Sequence, residues 1–391
     1  MRILSLFLPP VVALLSACAS APPPPQPASL LADHLFAAPS ERIGTDEVLK
    51  VSDAMRRYLA VDIADQIRTK GPQAGLVDAL YRRAQLKLEY DAATTKTASE
   101  AFDARSGNCL SLVLMTAALA HELQLSVRYQ SAYLEEAWSR SGNLLFASGH
   151  VNITLGRRML DAGTMRDMSP WTIDFLPADE IRTLRVRDLD ENTVLAMYAN
   201  NRAAEALARG RLDDAYAWAA EALRKDPTFM NSYNTLGVIY MRHSNLAQAE
   251  RTFTYVLERE PKNTRALSNI AETYTRLDRA TDAAAARIRL AAIEAVPPFH
   301  FFNLGLDAAR QSDWRTARDF FAREVARADY YHEFHFWLGL ADWQLGDVTQ
   351  ARKHLQLAMD NSTTRSQHDL YAAKLAWLQS RQKPEARPTG S

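Results

Sequence analysis

The chain has 391 residues, 47% of them hydrophobic and 24% charged, with 46 Lys+Arg balanced by 46 Asp+Glu. That length and apolar content suffice for two or three packed domains, and the absence of net charge excludes a protein whose affinity comes from neutralising many nucleic-acid phosphates. The cysteines, Cys18 and Cys109, are too few for a disulfide scaffold and form no CxxC pair for zinc.

In chain order, Arg2 and the apolar run Ile3 to Leu15 read as a signal segment. The run is too short to span a membrane, and Pro9-Pro10 interrupts it. Its closing tetrapeptide Leu15-Ser16-Ala17-Cys18 resembles the lipobox of bacterial lipoproteins. The resemblance implies removal of residues 1–17, acylation of Cys18 and a lipid anchor in the cell envelope; the alternative is a plain signal peptide cut near Ala21. Ala19 and Ser20 follow the cysteine with no Asp, which by the same resemblance implies the outer membrane, with the body facing the periplasm. Five prolines and no charge over Ala19 to Pro27 predict an extended tether, taken as residues 18–40.

Helical periodicity marks about residues 47–88, broken at Gly71-Pro72. A short helix over Ala98 to Ala104 ends at Ser106-Gly107-Asn108, and Cys109 then opens a run, Leu110 to Ala120, apolar on most faces and therefore buried. Period-two alternation predicts strands at Ser126 to Tyr133, Gly149 to Leu155 and Trp171 to Phe175, with a polar separator around Glu135 to Gly142. Helices followed by strands make residues 41–190 an α+β module.

A nucleophilic thiol needs a lowered pKa, a base in reach and a third group to orient that base. Cys109 stands at a helix start, where unpaired amides favour a thiolate and could hold an oxyanion; His150 and Asp174 lie on two of the predicted strands. Gly107-Asn108-Cys109, Gly149-His150 and Thr172-Ile173-Asp174 together resemble the transglutaminase-like superfamily of papain-like cysteine enzymes. That resemblance implies acyl transfer without a cofactor: Cys109 attacks, His150 is the base and Asp174 orients it. His332 and His335 are three apart but sit on ordinary repeat packing positions, and His121-Glu122 lacks a second histidine, so no metal site is expected.

The C-terminal half repeats. Ala215, Ala249, Ala283, Ala317 and Ala351 are spaced by 34 residues, and Ala203, Gly237, Ala271, Gly305 and Gly339 keep the same frame. Tyr240 and Tyr274, Phe253 and Phe321, and Pro227 and Pro261 also align. This pattern resembles the tetratricopeptide repeat, a helix–turn–helix unit with small residues where helices approach. It predicts an all-α solenoid of five units over 196–363, a capping helix over 366–382 with Leu370, Ala373, Leu375 and Leu378 as its apolar face, and a disordered tail over 383–391.

The first helix of each unit is expected to line a concave groove for a protein or peptide partner. Phe299, Phe302, Leu306, Phe336, Leu340 and Trp343, with Glu333, form its apolar end; Asn200, Asn231, Asn234, Met241, Arg242 and Arg276 form its polar end. The leading expectation is an envelope-anchored cysteine protease or amidase, or a transglutaminase, fed by the repeats. Its rival is an inactive scaffold lipoprotein that assembles envelope complexes.

Overall fold

A computed structural model describes residues 29–380 apart from 82–87, 93, 142–143, 159–169, 176–184, 295 and 297. The signal segment, Cys18, the proline-rich stretch and the tail expected over 383–391 lie outside the described residues.

The N-terminal part begins with short helices, α1 (Asp53–Arg57), a π-type turn (Tyr58–Asp62), α2 (Ala64–Lys70) and α3 (Pro72–Tyr81). The expected break falls at Gly71-Pro72, where proline opens α3 at the position that lacks an amide acceptor anyway. Helix α4 (Ala98–Ala104) starts on a capping box: Glu100 N donates to Thr97 Oγ1 (3.3 Å), and Thr97 N donates back to the Glu100 carboxylate (2.8 Å). Helix α5 (Cys109–Glu122) is buried at every position from Leu110 to Ala120, which explains why its sequence shows no polar stripe.

Helix α5 packs on an antiparallel sheet of order β5-β4-β3-β6, built from β3 (Leu125–Ser141), β4 (Leu144–Arg158), β5 (Trp171–Ile173) and β6 (Arg185–Leu189). A separate parallel pair joins β1 (Glu89–Tyr90) to β2 (Ser106–Gly107). The sheet differs from the sequence expectation at two places. The polar stretch expected as a separator continues the strands, pairing from Ala137↔Ser148 to Ser141↔Leu144 past an irregularity after Ala132. Backbone ladder bonds do not require alternating side chains, so period two cannot mark where such an extension ends. Strand β6 was not expected, because charge interrupts its apolar residues, as edge strands often show.

Five helix pairs follow: α6 (Glu191–Ala208) with α7 (Leu212–Lys225), α8 (Met230–Arg242) with α9 (Leu246–Arg259), α10 (Thr264–Arg276) with α11 (Ala280–Ile293), α12 (His300–Arg310) with α13 (Trp314–Val325), and α14 (His332–Gln344) with α15 (Val348–Asp360). Helix α16 (Arg365–Ser380) caps the last pair. Successive first helices touch, α6 on α8 and α8 on α10, so they form the inner layer of the solenoid.

The small positions of the frame exist for ring packing. A Cβ at Gly237 would stand 2.4 Å from the buried Phe253 ring, and one at Gly305 would stand 2.5 Å from Phe321. Gly237→Ala should therefore destabilise the protein by about 1–3 kcal/mol, the usual cost of overpacking. Urea unfolding checks this, and an unchanged midpoint would refute the contact.

Two features modify the expected domain plan. Residues 29–46, read as tether and module start, form a strap along the first two units. Ser29 O accepts from Arg251, Leu30 O from Tyr240 Oη (2.8 Å), Phe36 stacks on Tyr216 (4.0 Å between ring centres), and Glu41 accepts from Trp218 Nε1 (2.7 Å) and Arg202. The far end of the solenoid also returns to the N-terminal part, where Ala92 N donates to Thr363 O (2.9 Å).

Candidate functional site

Two regions have chemistry. The first surrounds Cys109, a free, half-buried thiol at the start of α5. Asn108 caps the helix: its Oδ1 accepts from Ser111 N (2.9 Å) and Ser111 Oγ (2.8 Å), and its Nδ2 donates to Thr95 Oγ1 (2.9 Å). Thr95 N in turn donates to Glu205 on α6 (2.6 Å), so the turn before the thiol is fastened to the solenoid's first helix. Burial works to raise the Glu205 pKa, and it prevails over the Thr95 bonds and the charges of Arg202 and Arg209.

Strands β4 and β5 run in the register Ile153↔Ile173, Thr154↔Thr172 and Leu155↔Trp171. Continued by one residue, this register sets Asn152 opposite Asp174, and Asn152 Nδ2 donates to Asp174 Oδ2 (3.3 Å) with both residues buried. Position 150 lies two residues along β4, on the same face as Asn152. The backbone thus puts His150 and Asp174 on adjacent strands, one diagonal step apart, a separation that long side chains bridge. The His150 side chain lies outside the described residues. Cys109 is on a separate element, the N-terminus of a helix that packs on β3 and β4. Asn152 is the buried partner that sequence reasoning missed; it shares the alternation of His150 and Thr154, and that alternation was the available signal.

The second region is the inner face of the solenoid, and here the predicted groove needs correction. Phe299 and Phe302 are not groove residues: Phe302 is 0% exposed, and both rings pack within about one ring diameter of Phe334 (5.1 Å each), with Tyr331 5.3 Å from Phe299 and Phe321 5.7 Å from Phe302. Aromatic rings at these positions are large enough to reach the next unit and close a core there. Leu306 is half-buried against that cluster. Phe336, Leu340 and Trp343 stay partly exposed, and the apolar surface continues beyond them onto α16. Trp343 meets Trp377 edge-on (5.2 Å), and Phe336 stacks on Tyr371 (5.2 Å). Leu370 and Trp377 are 49% and 43% exposed. They stand one 34-residue step after Phe336 and Trp343, so the frame itself could have found them.

At the other end the inner face is polar. Arg265 donates to Asn231 Oδ1 (3.0 Å), Asn234 Nδ2 donates to Asn263 Oδ1 (3.4 Å), and Arg276 donates to Met241 O (2.6 Å). Arg242 and Arg276 are exposed residues on this face. Of the histidines set aside as metal ligands, His335 Nδ1 faces His354 Nδ1 (3.1 Å) and its Nε2 donates to Asp329 O (2.8 Å), whereas His332 pairs with Tyr371 Oη (2.8 Å). Burial holds His332 down to about 4, and burial together with the His335 ring does the same for His354. These are packing residues kept neutral. Among the described residues no group of three His, Cys, Asp or Glu is placed to hold a metal ion.

The tetratricopeptide-repeat family model matches residues 234–297 and 302–365, so the C-terminal half carries tetratricopeptide repeats. No characterised protein sequence matches the chain significantly. Among solved structures, the chain is similar to MamA (18% identity, TM-score 0.25, covering 44% of this chain and 93% of that one) and to pilF of Pseudomonas aeruginosa (17%, 0.29, 47% and 84%). It is also similar to YrrB, described as a TPR protein with an unusual peptide-binding site (19%, 0.25, 46% and 92%).

Proposed function

We propose that this protein is an envelope-anchored scaffold whose solenoid captures an extended segment of a protein partner on its inner face. The observation that carries the reading is an apolar end of the inner face, where exposed Leu370 and Trp377 continue half-buried Phe336, Leu340 and Trp343, with a polar, arginine-bearing end at the opposite end of the same helical layer. Large exposed aromatics on a rigid surface bury much area at little entropic cost. The chemistry fits a segment with apolar residues at one end and acidic or amide groups at the other. Leu15-Ser16-Ala17-Cys18 supports anchoring through an acylated Cys18, with the outer membrane as the site and the periplasm as the compartment.

A photo-crosslinking residue in place of Leu370 tests the reading in cells. It should trap a protein partner at the envelope, and Trp343→Ala with Trp377→Ala should cut the trapped product at least tenfold while the protein stays folded. Undiminished trapping in that pair, or an unchanged membrane-bound fraction in Cys18→Ala, would count against it.

A second reading is favoured by the shared sheet face of positions 150 and 174: the N-terminal part is a transglutaminase-like module performing acyl transfer. His150 would take the proton of Cys109, the thiolate would attack a peptide or amide carbonyl with the first amides of α5 holding the oxyanion, the C–N bond would break as the imidazolium returns that proton to the departing amine, and the acceptor would then cleave the thioester, Asp174 orienting the imidazole throughout. Water as acceptor gives hydrolysis, an amine transamidation. A thiol-directed activity probe should label Cys109 in wild type and lose at least tenfold in His150→Ala; equal labelling of both would leave only the scaffold.

A further inference from the structure

At one pair of frame positions the five units differ in a way that packing alone does not require. Taken as one residue from the first helix and one from the second, they are Ala199 and Trp218, Tyr233 and Thr252, Leu267 and Ala286, Phe301 and Phe320, and in unit five His335 and His354. The rings of Phe301 and Phe320 stack at 6.4 Å and 12°, and those of His335 and His354 stack in the same way at 5.3 Å and 18°. Unit five thus keeps the geometry of an apolar stack but builds it from groups that take protons in the acid range. A third imidazole, His332, is buried one turn before His335 and holds Tyr371 of α16 (2.8 Å), the residue on which Phe336 stacks.

The hydrogen bonds leave little room for added protons. His335 Nε2 donates to Asp329 O (2.8 Å), a group that can only accept, so in the neutral ring Nδ1 carries a lone pair and accepts from His354 Nδ1 (3.1 Å). Protonation of His335 sets two N–H groups face to face, and protonation of His354 adds a charge beside Lys353 and Arg318. Burial holds His335, like His332 and His354, below the ordinary imidazole range, and Lys353 adds to this at His335. Two carboxylates act the other way. Asp329 favours a proton on His335, and Asp342, which pairs with Arg318 (2.8 Å) and is raised by burial, stabilises the unit as pH falls. Tyr371 feels the Glu333 carboxylate as well as His332. The core at this end is small: Ala351, Leu355, Leu375 and Leu378 form a cluster separate from that of unit four.

We propose that His332, His335 and His354 form a proton-operated latch: with neutral rings they hold α14, α15 and α16 together, and on mild acidification this end of the solenoid opens while the first three units stay folded. The direction follows from linkage. A histidine whose folded value lies below its unfolded value contributes stability that is full above about 6.5 and is lost as pH falls toward about 4. Opening parts Tyr371 and Trp377 from Phe336 and Trp343, so a partner segment held across that surface is released in acid. This last consequence rests on the groove reading; the latch itself does not.

Hydrogen exchange of the full-length protein at pH 7, 6 and 5, expressed as protection factors so that the intrinsic pH dependence of exchange is removed, reads the opening of α16 against α10. These conditions lie above the range in which the strap carboxylates titrate. Relative to α10, the protection of α16 should fall by roughly tenfold or more from pH 7 to pH 5, since a single histidine lowered from 6.5 to about 4 accounts for about twentyfold. His335→Phe with His354→Phe, the pair that unit four uses, should shrink that fall by roughly fivefold or more; the stack is kept and Asn361 still donates to Asp329 O (2.9 Å). His354→Gln, which retains an N–H for His335 Nδ1 but takes no proton, should shrink it likewise and serves where the phenylalanine pair does not fold. Protection of α16 that tracks α10 from pH 7 to pH 5, or a fall undiminished in His354→Gln, overturns the latch. A failed groove shows instead as trapping at position 370 that ignores Trp343→Ala with Trp377→Ala, so the two failures are distinguishable.

Discussion

Replacing Phe302 by alanine should lower the unfolding free energy by about 3–5 kcal/mol, the range for emptying a fully buried aromatic site. The ring is 0% exposed and lies between Phe334 (5.1 Å) and Phe321 (5.7 Å), and Phe302 N also donates to the buried Glu324 carboxylate (3.0 Å). Truncation would leave a cavity that α12 and α13 cannot close without moving Gly305 onto Phe321. The comparison that gives this result meaning is Trp377→Ala. With 43% of its surface exposed, Trp377 loses only part of a buried site and its edge contact with Trp343, so its loss should cost about 1–2.5 kcal/mol. Equilibrium denaturation of both variants separates core from groove. Equal and small losses would return Phe302 to the binding surface and remove the core of unit four.

The solenoid was legible because its rule is local and repeated. Each Ala or Gly at the frame positions answers a helix approach, and the sequence shows five in register. What the period could not show is which side chains turn inward: Phe302 and Phe336 hold the same frame position, yet one is core and the other lines the inner face. That depends on how far neighbouring rings enclose the side chain: Phe321 and Phe334 bury Phe302, whereas the stack of Phe336 on Tyr371 leaves Phe336 half-buried. In the N-terminal part, Asn108 before the apolar run was a readable cap. The strap was not readable: Ser40 and Asp214 are 174 residues apart, and nothing in the stretch 29–46 states that its backbone amides will be used.

Asp214→Ala should free that strap locally around Ser40 at a cost of roughly 2–4 kcal/mol, because hydrogen bonds to a charged group contribute about 1.5–3 kcal/mol each and water recovers part of the loss. The carboxylate is 2% exposed; it accepts from Ser40 N (2.6 Å) and Ser40 Oγ (2.7 Å) and pairs with Arg211 (3.1 Å). Burial alone would raise its pKa, but the Ser40 bonds and the Arg211 charge outweigh burial and hold it below the ordinary range. Glu41 behaves likewise: burial works upward, while Trp218, Arg202 and Arg211 bring the value down. A carboxylate with a lowered folded pKa stabilises above its unfolded value, near 4, and that contribution is lost as pH falls through the folded value. The protection factor of the Ser40 amide should thus be high at neutral pH, fall below about pH 4 in wild type, and be lost at every pH in Asp214→Ala. Protection unchanged in the variant, or flat down to pH 3 in wild type, would show that the strap is held by something else. Under the anchoring proposed above, the strap would set where Cys18 pulls: docked, Ser29 is held at Arg251 on the second unit; freed, residues 29–46 would add up to roughly 60 Å of extended chain.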